Sequence, residues 1–306
     1  MGRKPDLNSV DVRMLARELL ASDEVNISSV QTEGEETHAY RVASRERVGC
    51  LRIGRSTRGF TKDRWAHEML GDSVPVPRIW EIGQLDEKRA FCLSEWIPGA
   101  TLQDLTAAEV KQALPAVFDA WSIIASGDVE NISGYGTFDP ESQVAAHETW
   151  HGFLRAPADK AASWDTAWTA PRSGQLAELL DTYTVLVGRC PAERGLVHGD
   201  WGSNNLLVAD GRVAAVLDWE DAAIGDPLQD VGKRFWATWP PVATCVTLQA
   251  AYCEARFGDV PGYRDRILCY DLHRGLDGIG AALADGAHTW ADWAFRRCLE
   301  LVQQAR

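Results

Sequence analysis

The spacing of apolar positions changes character twice along this chain. Val10, Met14, Leu15, Leu19 and Leu20 fall at helical intervals, which predicts an amphipathic helix over residues 8–20. The next stretch, VNISSVQTEGEETHAYRVASRERVGCLRIG, alternates apolar and polar residues around Gly34. That pattern predicts strands joined by a glycine turn, ending in the strand GCLRIG. Residues 61–70, TKDRWAHEML, return to helical spacing, with Trp65, Ala66, Met69 and Leu70 on one face and Thr61 placed to cap the start. In VPVPRIWEIG, Pro75 and Pro77 push the residues before them out of helical geometry, so a strand is expected there. RAFCLSEWIPGATLQDL reads as a further strand that runs out at Pro98 and Gly99.

Beyond that point helical periodicity takes over. Thr106 and Glu109 have the spacing of a capping box, and the helical pattern persists to the C-terminus, broken mainly over residues 195–220. A strand-rich first third and a helix-rich remainder predict an α+β chain of two lobes, residues 1–97 and 98–306. Within the break, two apolar runs flank Asp210-Gly211 in NLLVADGRVAAVLDWE, a strong hairpin signal. With these two as turn residues, Ala209 faces Arg212, Leu207 faces Ala214 and Asn205 faces Val216. Asp218 then lies on the face of Asn205 and diagonal to it, at roughly 7–8 Å between backbones. An amide oxygen and a carboxylate brought together in this way suit a hard cation such as Mg2+. Asp200 precedes Asn205 on the loop LVHGDWGSNN and can face whatever the ion holds. The arrangement assigns Asp200 as base and Asn205 and Asp218 as metal ligands.

Composition narrows the function classes. Of 306 residues, 45% are hydrophobic and 25% charged, which fits a globular chain rather than a disordered one. The net charge of -13 is opposite to that of a protein gripping nucleic-acid phosphates, and suits a cationic partner. Seven scattered cysteines contain no C-x-x-C pair, so neither a disulfide framework nor a zinc site is expected. No signal-peptide core and no run of membrane-spanning length is visible, so a soluble cytoplasmic protein is expected, with no membrane and no obligatory protein partner. No GxxxxGK[ST] is present, which excludes the P-loop route to phosphate binding.

His198-Gly-Asp200-x-x-x-x-Asn205 followed by Asp218-Trp-Glu resembles the H-x-D-x-x-x-x-N and metal-aspartate pair of protein-kinase-like phosphotransferases. VHGDWGSNNLL with VLDWEDAAIGDP is similar to the aminoglycoside phosphotransferase family. EGEETHAY, GFTKDRW, GATLQDL, SGYGTF and GLDGIGAALADG extend the resemblance along nearly the whole chain. It implies a two-lobed protein-kinase-like fold that moves the γ-phosphate of ATP or GTP to a hydroxyl of an aminocyclitol antibiotic. Asp200 would accept the hydroxyl proton, Asn205 and Asp218 would hold Mg2+, and His198 would brace the loop by hydrogen bonds. At the nucleotide end, Gly34 would lie in the turn over the phosphates and Arg52 would grip them in place of the usual lysine. Its acidic partner would be Asp63, with Glu68 as the alternative. The hinge LSEWIPG would offer the backbone of Glu95 and Ile97 to the base. A polycationic substrate calls for acidic and aromatic lining. The candidates are Asn204, Glu220, Asp221, Trp236, Trp239 and Asp277, with Asp271 and Asp285 also available and Asp226 expected to brace the segment at Pro227. A kinase for another small alcohol, such as a macrolide, a viomycin-type peptide or a metabolite, stays open as an alternative. A nucleotide-binding protein without catalysis is the more distant one.

Overall fold

A computed structural model describes residues 4–7, 11–30 and 37–305. Gly34 and its turn lie outside the described residues. Helix α1 (Val12–Leu19) starts at Asp11, whose carboxylate accepts the amides of Arg13 and Met14. Strands β1 (Asn26–Ser29), β2 (His38–Ala43) and β3 (Val48–Gly54) follow, then α2 (Arg58–Leu70), β4 (Ile79–Asp86) and β5 (Arg89–Glu95). The five strands form one antiparallel sheet in the order β1-β2-β3-β5-β4. Strand periodicity divides β3 between the two faces: Leu51 packs with Val42, Leu93 and Ala16 of α1, while Arg52 points to the face where Phe60 of α2 meets Ala90 and Cys92. Helix α2 begins three residues before the expected Thr61, at Arg58; Thr61 instead bonds the carbonyl of Thr57 through its hydroxyl.

The remaining elements are β6 (Ala100–Thr101), α3 (Ala107–Ala125), β7 (Tyr135–Asp139), β8 (Val144–His147), α4 (Trp150–Lys160), α5 (Thr166–Thr169) and α6 (Ser173–Arg189). After them come β9 (Gly195–Val197), β10 (Leu206–Ala209), β11 (Arg212–Val216), β12 (Ala223–Gly225), α7 (Leu228–Val231), α8 (Ala243–Phe257), α9 (Tyr263–Ala284) and α10 (His288–Ala305). The Thr106–Glu109 capping box is present at α3. The hairpin β7–β8 breaks the helical stretch earlier than expected, and it joins β12 and β9 in a second small sheet. The main core of this lobe surrounds Trp150, Tyr183, Phe235 and Tyr270. Among the described residues no helix is long and apolar enough to cross a membrane.

The hairpin β10–β11 turns at Asp210-Gly211, both at positive φ, and pairs Ala209 with Arg212. Its register then shifts at a bulge, so Leu207 pairs with Ala215 rather than Ala214 and Leu206 with Val216. Asn205 consequently stands opposite Leu217, whose amide it accepts at 2.8 Å, not opposite Val216. The extra residue removes the simple diagonal relation expected between Asn205 and Asp218. β10 also pairs with β6, which fastens the segment leaving the first lobe to the hairpin behind the candidate site.

Asp226 braces its segment. It is fully buried, takes two bonds from Arg266 at 2.7 and 2.8 Å and one from the Tyr270 hydroxyl, and caps α7 through Leu228. Removing one member of such a group strands a buried charge. Asp226→Ala should lower the unfolding free energy by about 3–5 kcal/mol in a urea titration; a change below roughly 1 kcal/mol would mean that the cluster does not hold α9 to the catalytic region.

Candidate active site

Strand β9 delivers the chain to His198, and the loop to Asn205 begins with a glycine turn. At Gly199, φ is 88° and a side-chain Cβ would stand 2.2 Å from the Asp221 carbonyl, so only glycine lets the loop pass that close. Asp230 of α7 ties the turn down, accepting the amides of His198 at 2.8 Å and Gly199 at 2.9 Å. His198 is buried; one ring nitrogen faces the Leu217 carbonyl at 3.0 Å and the other faces the Asp200 amide. Those bonds require a neutral ring protonated on Nε2. Burial pushes its pKa down to about 4, so His198 braces the loop and has no proton to exchange near neutrality.

Asp200 is held on both oxygens. Its Oδ2 accepts the Asn205 amide nitrogen at 2.7 Å, and its Oδ1 accepts the Lys233 ammonium at 2.9 Å. The Asp200 side chain is 47% exposed toward the cleft, whereas that of Lys233 is only 6% exposed. Withdrawal from bulk water would by itself raise the Asp200 carboxyl, but the adjacent ammonium outweighs this and holds it well below the usual carboxylate range. The Asn205 amide nitrogen also bonds the Asp200 carbonyl at 2.9 Å, so its amide oxygen is the end left for a ligand.

Asp218 follows β11 in a left-handed conformation, φ 61°, which turns its carboxylate out into the cleft where it is exposed. Desolvation in the cleft, then repulsion from Asp63 and Asp200, pushes its pKa up to about 7 despite the pull of Arg52. The next amide, of Trp219, donates to Asp63 at 2.9 Å. The other oxygen of Asp63 takes Arg52 at 2.5 Å, so Asp63, not the exposed Glu68, is the partner of that arginine. Lys62, beside it on α2, is fully buried and donates to the carbonyls of Glu220 at 2.8 Å and Ala222 at 2.6 Å, over the ring of Phe138. Burial lowers its pKa to about 8.

The donors fit a hard cation: an amide oxygen, a carboxylate, and a surplus of negative charge around them. Among the described residues no three His, Cys, Asp or Glu converge on one point, so such an ion would draw the rest of its shell from phosphate oxygens and water.

The other expected residues are spread more widely. Glu95 ends β5 with its amide bonded to the Arg78 carbonyl, and Ile97 lies in the extended link to β6. Asn204 and Asp221 are exposed beside the loop. Glu220 lies against Gly59 at the start of α2, on the seam between the lobes. Asp277 is exposed on α9 and lines a cavity of about 420 Å3 with Lys160, Trp164 and Asp165. Asp271 is instead buried and accepts the Phe235 amide at 2.9 Å, and Asp285 sits at the end of α9. Trp236 and Trp239 are half-buried against a second pair: Trp236 stacks on Trp293 at 5.8 Å and lies tilted to Trp290 at 6.2 Å, and Trp239 meets Trp293 edge-on at 5.0 Å. Sequence reasoning missed Asp230, Lys233, Lys62 and the second tryptophan pair. Only the tryptophans carried a signal: their spacing of three in HTWADW puts both on one helix face.

A β-sheet lobe over a helical lobe, with the carboxylates gathered at a hairpin between them, is the arrangement of protein-kinase-like phosphotransferases. The comparisons narrow that class. Residues 61–266 match the model described as the phosphotransferase enzyme family, and the chain belongs to it. It is 34% identical over 303 residues to hygromycin-B 4-O-kinase of Escherichia coli, spanning 98% of this chain and 87% of that protein. It is 29% identical over 181 residues to viomycin phosphotransferase of Streptomyces vinaceus, spanning 53% of this chain and 55% of that one. The crystal structure of a thermostable mutant of aminoglycoside phosphotransferase APH(4)-Ia, a ternary complex with AMP-PNP and hygromycin B, matches with a TM-score of 0.84 at 33% identity. That match covers 96% of this chain and 98% of the other.

Lys62→Met would leave the buried Ala222 carbonyl and the part-buried Glu220 carbonyl without their donor. Amide exchange over residues 219–222 should then accelerate about tenfold, the equivalent of roughly 1.4 kcal/mol of local stability. Unchanged exchange would show that Lys62 does not clamp this loop.

Proposed function

We propose that this chain transfers the γ-phosphoryl group of ATP or GTP to a hydroxyl of an aminocyclitol antibiotic of the hygromycin B type. The observation that carries the reading is Asp200: a carboxylate at the cleft mouth, fixed on both oxygens and kept ionised. So held, it orients an acceptor hydroxyl and takes its proton as the phosphoryl group arrives. A weak base suffices, because in a loose transition state positioning and charge neutralisation carry most of the rate. Bound magnesium, held by the Asn205 amide oxygen and the Asp218 carboxylate, would supply charge neutralisation on the phosphates. Arg52, kept charged against burial by Asp63, would grip them from the first lobe, with the Glu95 and Ile97 backbone at the base. Asn204, Glu220, Asp221 and Asp277 would meet the ammonium groups of the acceptor, and Trp236 and Trp239 its rings. The need for a nucleoside triphosphate pool makes the cytoplasm the place of action.

The test is nucleotide-dependent phosphorylation of hygromycin B, viomycin and a macrolide, followed by mass spectrometry. One phosphoryl group on hygromycin B is expected, and Asp200→Ala should reduce kcat by about 10³-fold while still binding nucleotide. Transfer to viomycin alone would keep the reaction and replace the acceptor; full activity in Asp200→Ala would remove the base. Separately, Arg52→Ala should raise the KM for ATP about tenfold with a smaller change in kcat. An unchanged KM would place the triphosphate elsewhere.

A further inference from the structure

The backbone around Lys233 is fastened by side chains from two helices. Arg274 of α9 donates to the Gly232 carbonyl at 2.5 Å, and Asp271, one turn earlier, accepts the Phe235 amide at 2.9 Å. Arg297 of α10 donates to the Arg234 carbonyl at 2.7 Å and to that of Phe235 at 3.1 Å. Four bonds from three charged side chains thus bracket one residue, in a segment that is otherwise only a short 3₁₀ turn (Arg234–Thr238). What this frame presents is the Lys233 side chain. It is 6% exposed, and Asp200 is its one hydrogen-bond partner among the described residues. The nearby Asp230 makes no hydrogen bond to it; its two oxygens accept the loop amides of His198 and Gly199.

A buried ammonium is costly unless paired, and a packed apolar side chain would fill the same space without that cost. Fold stability therefore does not explain a lysine here. The geometry points to Lys233 as a positioning residue for phosphoryl transfer, setting the rotamer of Asp200 and offsetting its charge from the side opposite Asn205. The inference rests on the reading of Asp200 as the group that meets the acceptor hydroxyl. Two donors on separate oxygens leave the carboxylate one orientation, so it need not be ordered when the acceptor arrives. The carboxylate is aligned before the acceptor binds, and that alignment is what the ammonium supplies. Removing it should therefore act on the reacting state rather than on binding.

The experiment is a double-mutant cycle on the full chain with ATP and hygromycin B, using Lys233→Met, Lys233→Arg, Asp200→Ala and the Lys233→Met/Asp200→Ala pair. Lys233→Met should lower kcat about 100-fold while both KM values stay within about threefold and the melting temperature does not fall. Lys233→Arg, which keeps the charge, should recover at least about a tenth of the parent kcat. In the Asp200→Ala background, Lys233→Met should cost nothing further, because its effect passes through Asp200. Parent-like kcat in Lys233→Met, or losses that multiply in the double variant, would overturn the inference while leaving Asp200 as base. An Asp200→Ala enzyme with parent-like kcat would overturn the base assignment itself. Loss in Lys233→Met that tracks a fall in melting temperature and is not recovered by arginine would assign Lys233 to the fold alone and also overturn it.

Discussion

One buried carboxylate sets the distance between the two ends of the cleft. Asp63 is 5% exposed and has only two oxygens, one bonded to Arg52 on the sheet of the first lobe and the other to the Trp219 amide of the second. Neither bond can be given up cheaply, because a carboxylate withdrawn from water has no alternative partner. The arginine proposed to meet phosphate and the residue next to Asp218 are therefore spaced by a single side chain. Lys62 repeats the device from the adjacent position on α2, reaching the carbonyls of Glu220 and Ala222. Because successive helical residues point in different directions, the two bonds come from two sides of α2, which resists rotation as well as separation.

The charges in the cleft divide unevenly. Asp63 has Arg52 and Asp200 has Lys233, but no side chain donates to Asp218 among the described residues, and its carboxyl is pushed up to about 7 by desolvation and by Asp63. Two of the three carboxylates are thus neutralised from within, and the third is left at the mouth for charge from outside. The net charge of -13 belongs to the chain as a whole, while Arg52 and Lys233 are each held against a carboxylate of the cleft.

Much of this was legible in local patterns and the rest was not, for definite reasons. The change from alternating to helical spacing, the capping box at Thr106 and the turn at Asp210-Gly211 depend on neighbours within a few positions, and all three are where the sequence puts them. The hairpin register was off by one because a bulge between Leu207 and Val208 leaves no mark on an alternating apolar run. Asp218 reaches the cleft through its positive φ, which nothing in LDWE announces. Asp230 and Lys233 meet the loop across about thirty positions of sequence, and an aspartate and a lysine in DVGKRFW look like ordinary wet-face residues until the fold buries them. Asp271 was misread for the converse reason: its acidity fits a cationic ligand, but its carboxylate is spent on the Phe235 amide inside the core.

The fastening of residues 232–235 has a consequence for the acceptor side. The same turn that carries Lys233 carries Trp236 and Trp239, and these pack on Trp290 and Trp293 of α10. The Arg297 bonds to the Arg234 and Phe235 carbonyls tie that turn to the helix bearing the second pair. An aromatic wall built this way cannot drift relative to Asp200, since its first residues and the ammonium on Asp200 lie on one braced segment. The nucleotide end is located by Asp63 through α2, and the proposed acceptor end by α9 and α10 through the turn at Lys233. Asp200 is where the two frames meet. Near-attack alignment tolerates only a fraction of an ångström, and a loop braced from both sides meets that demand better than one resting on its own turn.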